Sequence, residues 1–287
     1  MALYEQMVLA REVDRWVAEL AASGRVPRQR SAAGESAVAV GAAAGMRDCD
    51  WLFLGQREVA AALWRGASLL TYACHLLGRE SRREPGTSGG GRDALSPPCF
   101  RPQRVVSVGA LPGPRIAHAV GVAWTARMRK EDVAALVFVD EASVDRDDFH
   151  TGLNFAGVMR APLVVLCHGG RDDGTLSASP RRIAERASAY GLQGACVNGS
   201  DILAVMTAVR EARARASEGE GGTLIDAAAC GDPIALMRRH LEERGRSSGE
   251  DEERLVTDVR ADVDRAFADA ARCPAASPAA LFDHVYA

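Results

Sequence analysis

One stretch constrains this chain more than any other. Residues 133–170 read VAALVFVDEASVDRDDFHTGLNFAGVMRAPLVVLCHGG. Two apolar runs, 134–139 and 163–167, bracket a segment with helical spacing. Uninterrupted apolar runs of this length belong in strands buried on both faces, so the unit reads as strand–helix–strand in a parallel sheet covered by helices. The first run ends in Asp140-Glu141 and the second in His168-Gly169-Gly170. Open parallel sheets hold their ligands just beyond the carboxyl ends of strands, so these two edges are where a site is expected.

The flanking sequence continues the alternation of β and α. Residues 3–23 form an amphipathic helix with Met7, Leu9, Val13, Trp16, Val17 and Leu20 on or near one side. Residues 35–46 (ESAVAVGAAAGM) are small on every side, which predicts a deeply buried, closely packed helix. A short apolar run at 51–54 precedes helices expected at 56–65 and 68–77. Residues 79–103 are rich in Gly, Pro, Ser and Arg and read as one long loop, expected to be mobile. A small-residue helix spans 114–128. After the central unit, Pro180 opens a helix to about residue 190. Strands follow at 194–197 and 223–226, with a helix between them capped at Ser200 or Asp201. Helices are expected at 233–245, from the acidic run 248–253 to about 272, and at 281–286. Without a repeat or a clear linker, the expectation is a single α/β domain over 1–287.

Composition removes several function classes. The chain has 287 residues, a formal charge of -3 and a pI of about 6.1, which does not fit a nucleic-acid surface. No apolar run nears the roughly 18 residues of a membrane span. The N-terminal residues carry charges at helical spacing and lack a signal-peptide core. Seven scattered cysteines without a CxxC pair point to reduced thiols and a cytoplasmic protein.

Chemical motifs are few. There is no GxxxxGK[ST], no HExxH and no zinc-type spacing. Gly86-Thr87-Ser88-Gly89-Gly90 matches GxSxG, but charged residues rather than a strand precede it, so it reads as loop. His150 lies inside the central helix, whereas His168, just past a strand, is the better catalytic candidate. Asp140, Glu141, Asp145, Asp147 and Asp148 form an acidic cluster. Carboxylates at a strand end can hold Mg²⁺; acids at a helix start also stabilise the helix dipole.

Motifs along nearly the whole chain resemble one family. LYEQMVLAREVDRWVAEL, GESAVAVGAA, QREVAAALWRG, IAHAVGVAWTARM, DDFHTGLNFAGVMRAPLVVLC, YGLQGACVNGSDILAVMTAVREARARA, GTLIDA, DPIALMRRHLEERG and LFDHVYA follow in the same order as in that family. It is the alpha subunit of the thiamine-diphosphate-dependent E1 component of 2-oxo acid dehydrogenases, the branched-chain and pyruvate type. The resemblance implies the thiamine-diphosphate-binding α/β fold, a mainly parallel sheet with helices on both faces. It also implies subunit association, with a beta-type subunit or a second copy.

The same resemblance exposes departures. In the family, a G-[DE]-G motif and an Asn pair hold the diphosphate and Mg²⁺. The family carboxylate falls on Glu141, but its flanking glycines are Asp140 and Ala142, and both Asn positions are Gly169 and Gly170. Glu141 is thus a vestigial metal ligand whose partner position is Gly170. A Tyr-Arg pair near the diphosphate becomes Gln56-Arg57, and a segment bearing a working His after the TLIDA stretch is absent. Two like charges about 4 Å apart at an effective dielectric of about 20 repel by roughly 4 kcal/mol, so Asp140 alone opposes a diphosphate severalhundredfold. The expectation is a catalytically degenerate subunit with a structural or regulatory role and no bound cofactor. The alternative is an active oxidative decarboxylase of 2-oxo acids working with a beta subunit. There thiamine diphosphate and Mg²⁺ would bind through Glu141, Arg57 and Arg92, with His168 as the catalytic candidate.

Overall fold

The computed structural model describes residues 1–27, 31–80, 87–88, 98–107, 113–170, 180–229, 231–246 and 248–277. Helices α1 (Ala2–Ala22) and α2 (Ser36–Gly45) lead into strand β1 (Trp51–Leu54), then α3 (Val59–Trp64) and α4 (Leu69–Leu76). Two-residue strands β2 (Thr87–Ser88) and β3 (Cys99–Phe100) precede β4 (Val105–Ser107) and α5 (Gly113–Met128). The central unit is β5 (Ala135–Asp140), α6 (Asp147–Val158) and β6 (Leu163–Gly170). Then come α7 (Pro180–Glu185), β7 (Gln193–Asn198), α8 (Ile202–Ser217), β8 (Thr223–Ala229), α9 (Pro233–Glu243) and α10 (Gly249–Arg272).

The strands form one sheet in the order β2-β3-β4-β1-β5-β6-β8-β7. Pairing is parallel from β4 through β7 and antiparallel only at β2–β3 and β3–β4. This is the mainly parallel, doubly covered α/β fold that the thiamine-diphosphate-binding resemblance implied. The apolar runs that predicted burial on both faces divide accordingly. Leu136, Phe138, Val164 and Leu166 join a core with residues of α1 to α4 and α8 to α10. Val137, Val139, Val165 and Cys167 join a second core with α5, α6 and Ile183.

The small residues of α2 serve close packing. A Cβ at Gly41 would lie 2.8 Å from the Ile202 carbonyl oxygen, and one at Gly45 would lie 2.8 Å from Val209 Cβ and the Met206 carbonyl, so α2 and α8 touch backbone to backbone. Helix α10 starts with a reciprocal Ser248–Asp251 capping box. It lies on α1, where Trp16 stacks on Phe267 with centroids 4.8 Å apart and Arg15 pairs with Asp264 at 2.9 Å.

Several boundaries differ from expectation for identifiable reasons. β6 and β8 outrun their apolar runs because their ladder continues, Gly169 opposite Ala228 and Gly170 opposite Ala229. Helix α3 starts at Val59 rather than at 56, because 55–58 form a turn that the site uses. Residues 79–103 are not wholly loop: they include β2 and β3, while 81–86 and 89–97 lie outside the described residues. Residues 180–190 split into α7 and a 3₁₀ turn (Arg186–Tyr190). The helix expected at 281–286 is outside the described residues. Among those that are described, no helix is long and apolar enough to cross a membrane.

Candidate functional site

At the carboxyl ends of β5 and β6 the chain gathers six charged side chains. Two strand residues begin the cluster, Asp140 and His168, which sit opposite each other in the parallel register. Both continue the face lined by Phe138 and Leu166, toward α2 and α3. Glu35 comes from a 3₁₀ turn (Ala33–Glu35) that leads into α2. Arg57 and Glu58 come from the turn between β1 and α3, and Arg115 from the first turn of α5.

His168 is the centre. Its Nδ1 meets Glu35 Oε2 at 3.1 Å, and its Nε2 lies 2.9 Å from Glu58 Oε1 as an ion-pair contact without hydrogen-bond alignment. Phe138 packs edge-on against the ring, centroids 6.0 Å apart. Arg57 donates to Glu35 and to Asp140. Arg115 lies 3.9 Å from Glu58 and from Asp140 and donates to the Phe138 carbonyl at 3.2 Å. Gly55 donates its N–H to Glu58 Oε2 at 2.6 Å. A Cβ at Gly55 would fall 2.2 Å from the Arg115 guanidinium, so a side chain there would displace that cation.

Burial raises the stakes of every charge. By itself it disfavours the His168 imidazolium, but the charges of Glu35 and Glu58, close against both ring nitrogens, and the Glu35 hydrogen bond outweigh it and push His168 up to about 10. Burial likewise pushes Glu35 and Glu58 up, and His168 with the arginines more than reverses this, so both are held below the usual carboxylate range. Arg57 and Arg115 shift in opposite directions. Direct contacts to Glu35 and Asp140 overcome burial at Arg57, whereas the 3.9 Å contacts of Arg115 do not fully offset it. With His168 protonated, three cations face three carboxylates, and the cluster is electroneutral.

The sequence-predicted residues fall into separate places. His168 and Arg57 are in the cluster. Glu141 is not: it begins the 3₁₀ turn after β5 (Glu141–Ser143) and lies over Gly169, whose added Cβ would come 3.0 Å from Glu141 Cβ and 3.1 Å from Oε2. Gly170 ends the β6 ladder, and Arg92 lies outside the described residues. His150 bonds to the Tyr190 hydroxyl instead. Asp145 pairs with Arg186 at 2.7 Å, and Asp147 and Asp148 occupy the first turn of α6. Among the described residues no group of three His, Cys, Asp or Glu is arranged to hold a metal.

These residues do not fit a Mg²⁺–diphosphate group. They offer one carboxylate at Glu141, no amide oxygen at 169 or 170, and a guanidinium at Arg57 whose charge Asp140 and Glu35 already satisfy. The sequence reading missed Glu35, Glu58 and Arg115. Glu35 and Arg115 are lone charges beside small-residue or apolar runs, where a charge must find a partner, but Glu58 stands next to Arg57 and carries no such signal.

Known proteins match this chain over most of its length. The sequence profile of the family described as "Dehydrogenase E1 component" matches residues 4–230. The 2-oxoisovalerate dehydrogenase subunit alpha of Bacillus subtilis (strain 168) is 31% identical over 315 residues, covering 99% of this chain and 94% of that protein. The 3-methyl-2-oxobutanoate dehydrogenase subunit alpha of Mycobacterium tuberculosis is 34% identical over 229 residues, covering 78% of this chain and 59% of that protein. A pyruvate dehydrogenase E1 component subunit alpha from Bacillus cereus is 26% identical over 314 residues, covering 99% of this chain and 81% of that protein. With the parallel sheet and helix order in place, these matches make the chain an E1-alpha-like member of the dehydrogenase E1 component family.

Proposed function

We propose that this protein is a non-catalytic alpha-type subunit that acts through association, with a beta-type subunit or with a second copy of itself. The observation that carries the reading is the self-neutralised cluster at the β5–β6 edge. Where a cofactor's anionic group would need an available cation, Arg57 is bound by Asp140 and Glu35. Where a metal would need a second oxygen, the chain has glycine.

The association half rests on the surface of α5 and α6. These helices run side by side: a Cβ at Gly152 would touch Ile116, and Arg127 donates to the Met159 and Arg160 carbonyls. Their outer faces carry Trp124, Met128, Phe155 and Val158, four of the six exposed large hydrophobic residues among those described. Apolar side chains gathered on two neighbouring helices are what a subunit interface uses.

Calorimetric titration of the protein with thiamine diphosphate and Mg²⁺ tests the catalytic half. No saturable binding is expected in the micromolar range. Micromolar binding, or decarboxylation of a 2-oxo acid after mixing with a beta-type subunit, would establish the active enzyme instead.

A further inference from the structure

The chain leaving helix α4 is clasped to the chain leaving helix α10. Gly78, at φ 62°, adopts the left-handed backbone that turns the chain out of α4. Arg79 then pairs antiparallel with Ala275, Glu80 donates its N–H to the Pro274 carbonyl at 2.9 Å, and Ala276 donates its own to the Gly78 carbonyl at 3.1 Å. The Arg79 guanidinium adds a bond to the Cys273 carbonyl at 3.4 Å. Behind this clasp the two helices pack on each other and bring two thiols together. Cys74, two residues before the end of α4, is buried; Cys273, the residue that follows α10, is half-buried and packs on the same core. The two side chains lie within hydrogen-bonding reach of each other. Of the other cysteines, Cys49 meets the Asp132 carbonyl, Cys99 meets Ser107, and Cys167 sits inside the second core.

We propose that Cys74 and Cys273 are a redox-reactive pair, which a low-molecular-weight disulfide of the glutathione class closes into one intramolecular bond between α4 and α10. The proposal stands apart from the reading of the β5–β6 edge, and neither depends on the other. The exchange balances in two steps. Cys273, the more accessible sulfur, attacks as thiolate one sulfur of the small disulfide and expels the first small thiol. Cys74 then gives up its proton and attacks the Cys273 sulfur, expelling the second. Two electrons and two protons pass from the protein to the small disulfide, which leaves as two thiols. Burial pushes the Cys74 thiol up to about 12, and Cys273 beside it pushes the same way, so Cys74 suits the second step rather than the first. That second step is intramolecular, and the clasp keeps the effective concentration of the two sulfurs high. The new bond encloses residues 74–273, most of the chain, and so restricts the unfolded state strongly. It also fastens α10, the helix whose Phe267 covers Trp16 of α1.

The test incubates the folded protein with oxidised glutathione, blocks the remaining thiols with iodoacetamide in denaturant, and digests with trypsin. Mass spectrometry should find peptide 66–79 joined to peptide 273–287, lighter by two hydrogens than the two thiol peptides together. The oxidised protein should melt at least about 5 °C above the reduced one. Cys273→Ser removes the attacking sulfur at a half-buried position, and should abolish both the link and the rise in melting temperature. Cys74→Ala should arrest the exchange with one glutathionyl group left on Cys273; if that buried substitution fails to fold, the comparison with Cys273→Ser decides. Folded wild-type protein without the joined peptide overturns the proposal, whether Cys273 stays free, keeps its glutathionyl group or links to another cysteine. A joined peptide without the melting rise also overturns it, and so does a rise that survives Cys273→Ser.

Discussion

A buried imidazolium between two carboxylates makes stability depend on alkali, and His168 is where that dependence is measured. In the unfolded chain its ring titrates near 6.5; in the folded protein it is pushed up to about 10. Between those values the folded state keeps a proton that the unfolded state has released, so stability falls as pH rises. Below 6.5 both states are protonated and the contribution is fully present. The 3.5-unit interval corresponds to about 1.4 kcal/mol per pH unit, a total of the order of 5 kcal/mol. For a chain of this size that lowers the melting temperature by roughly 2–4 °C per kcal/mol. His168→Gln fills the same space without the charge. At pH 6 it leaves Glu35 and Glu58 one cation short, a cost of about 3–5 kcal/mol for a broken buried pair. Urea unfolding of both proteins from pH 6 to 10 should show that gap closing toward zero. The difference curve also cancels contributions from the buried thiols Cys74 and Cys167, which are raised in the folded protein and titrate in the alkaline range. A gap that stays constant from pH 6 to 10 would refute the assignment of His168 as a proton held by the fold.

Other perturbations test the frame around the cluster. Asp50 is fully buried and accepts from Ala134 N–H, Arg47 N–H and the Arg213 guanidinium, so Asp50→Ala should cost about 3–5 kcal/mol in urea unfolding by removing the buried partner of Arg213, which keeps only Asp132 and Ser217, and by taking the acceptor from two backbone N–H groups. Gly45→Ala places a methyl 2.8 Å from the Met206 carbonyl oxygen and Val209 Cβ, and the forced separation of α2 from α8 should cost about 1–3 kcal/mol. Replacing Trp124 and Phe155 together by Glu should weaken self-association or beta-subunit association at least about tenfold in sedimentation velocity, while monomer stability stays within about 1 kcal/mol.

The frame was far more legible in the sequence than the site. Continuous apolar runs announced β5 and β6, and the all-small composition of residues 35–46 announced a helix in close contact with another. Both signals are local, because burial on both faces or on all sides leaves its mark in consecutive residues. The cluster left no such mark. Glu35, Glu58, Arg115 and His168 come from four elements far apart in the chain, and only the folded register sets them around one ring. Asp140 shows the difference most clearly. The sequence identified it as a charge out of place beside a diphosphate, but not that Arg57 had turned to meet it. Glu141 shows the reverse case: adjacent in sequence to Asp140, it lies over Gly169, away from the cluster.

The seating of α10 on α1 has a consequence for how the protein is made. Trp16 finds its stacking partner at Phe267, Tyr4 bonds to Glu252, and Glu12 pairs with Arg260. Helix α1 is therefore completed by a helix that leaves the ribosome long after it, α10. At translation rates of about 5–20 residues per second, roughly 12–50 s separate the two. Throughout that interval the nascent chain carries an amphipathic helix whose tryptophan has no cover. Cellular chaperones that bind exposed apolar helices would meet this segment early and have to release it late, and the yield of folded protein would depend on how long they hold it.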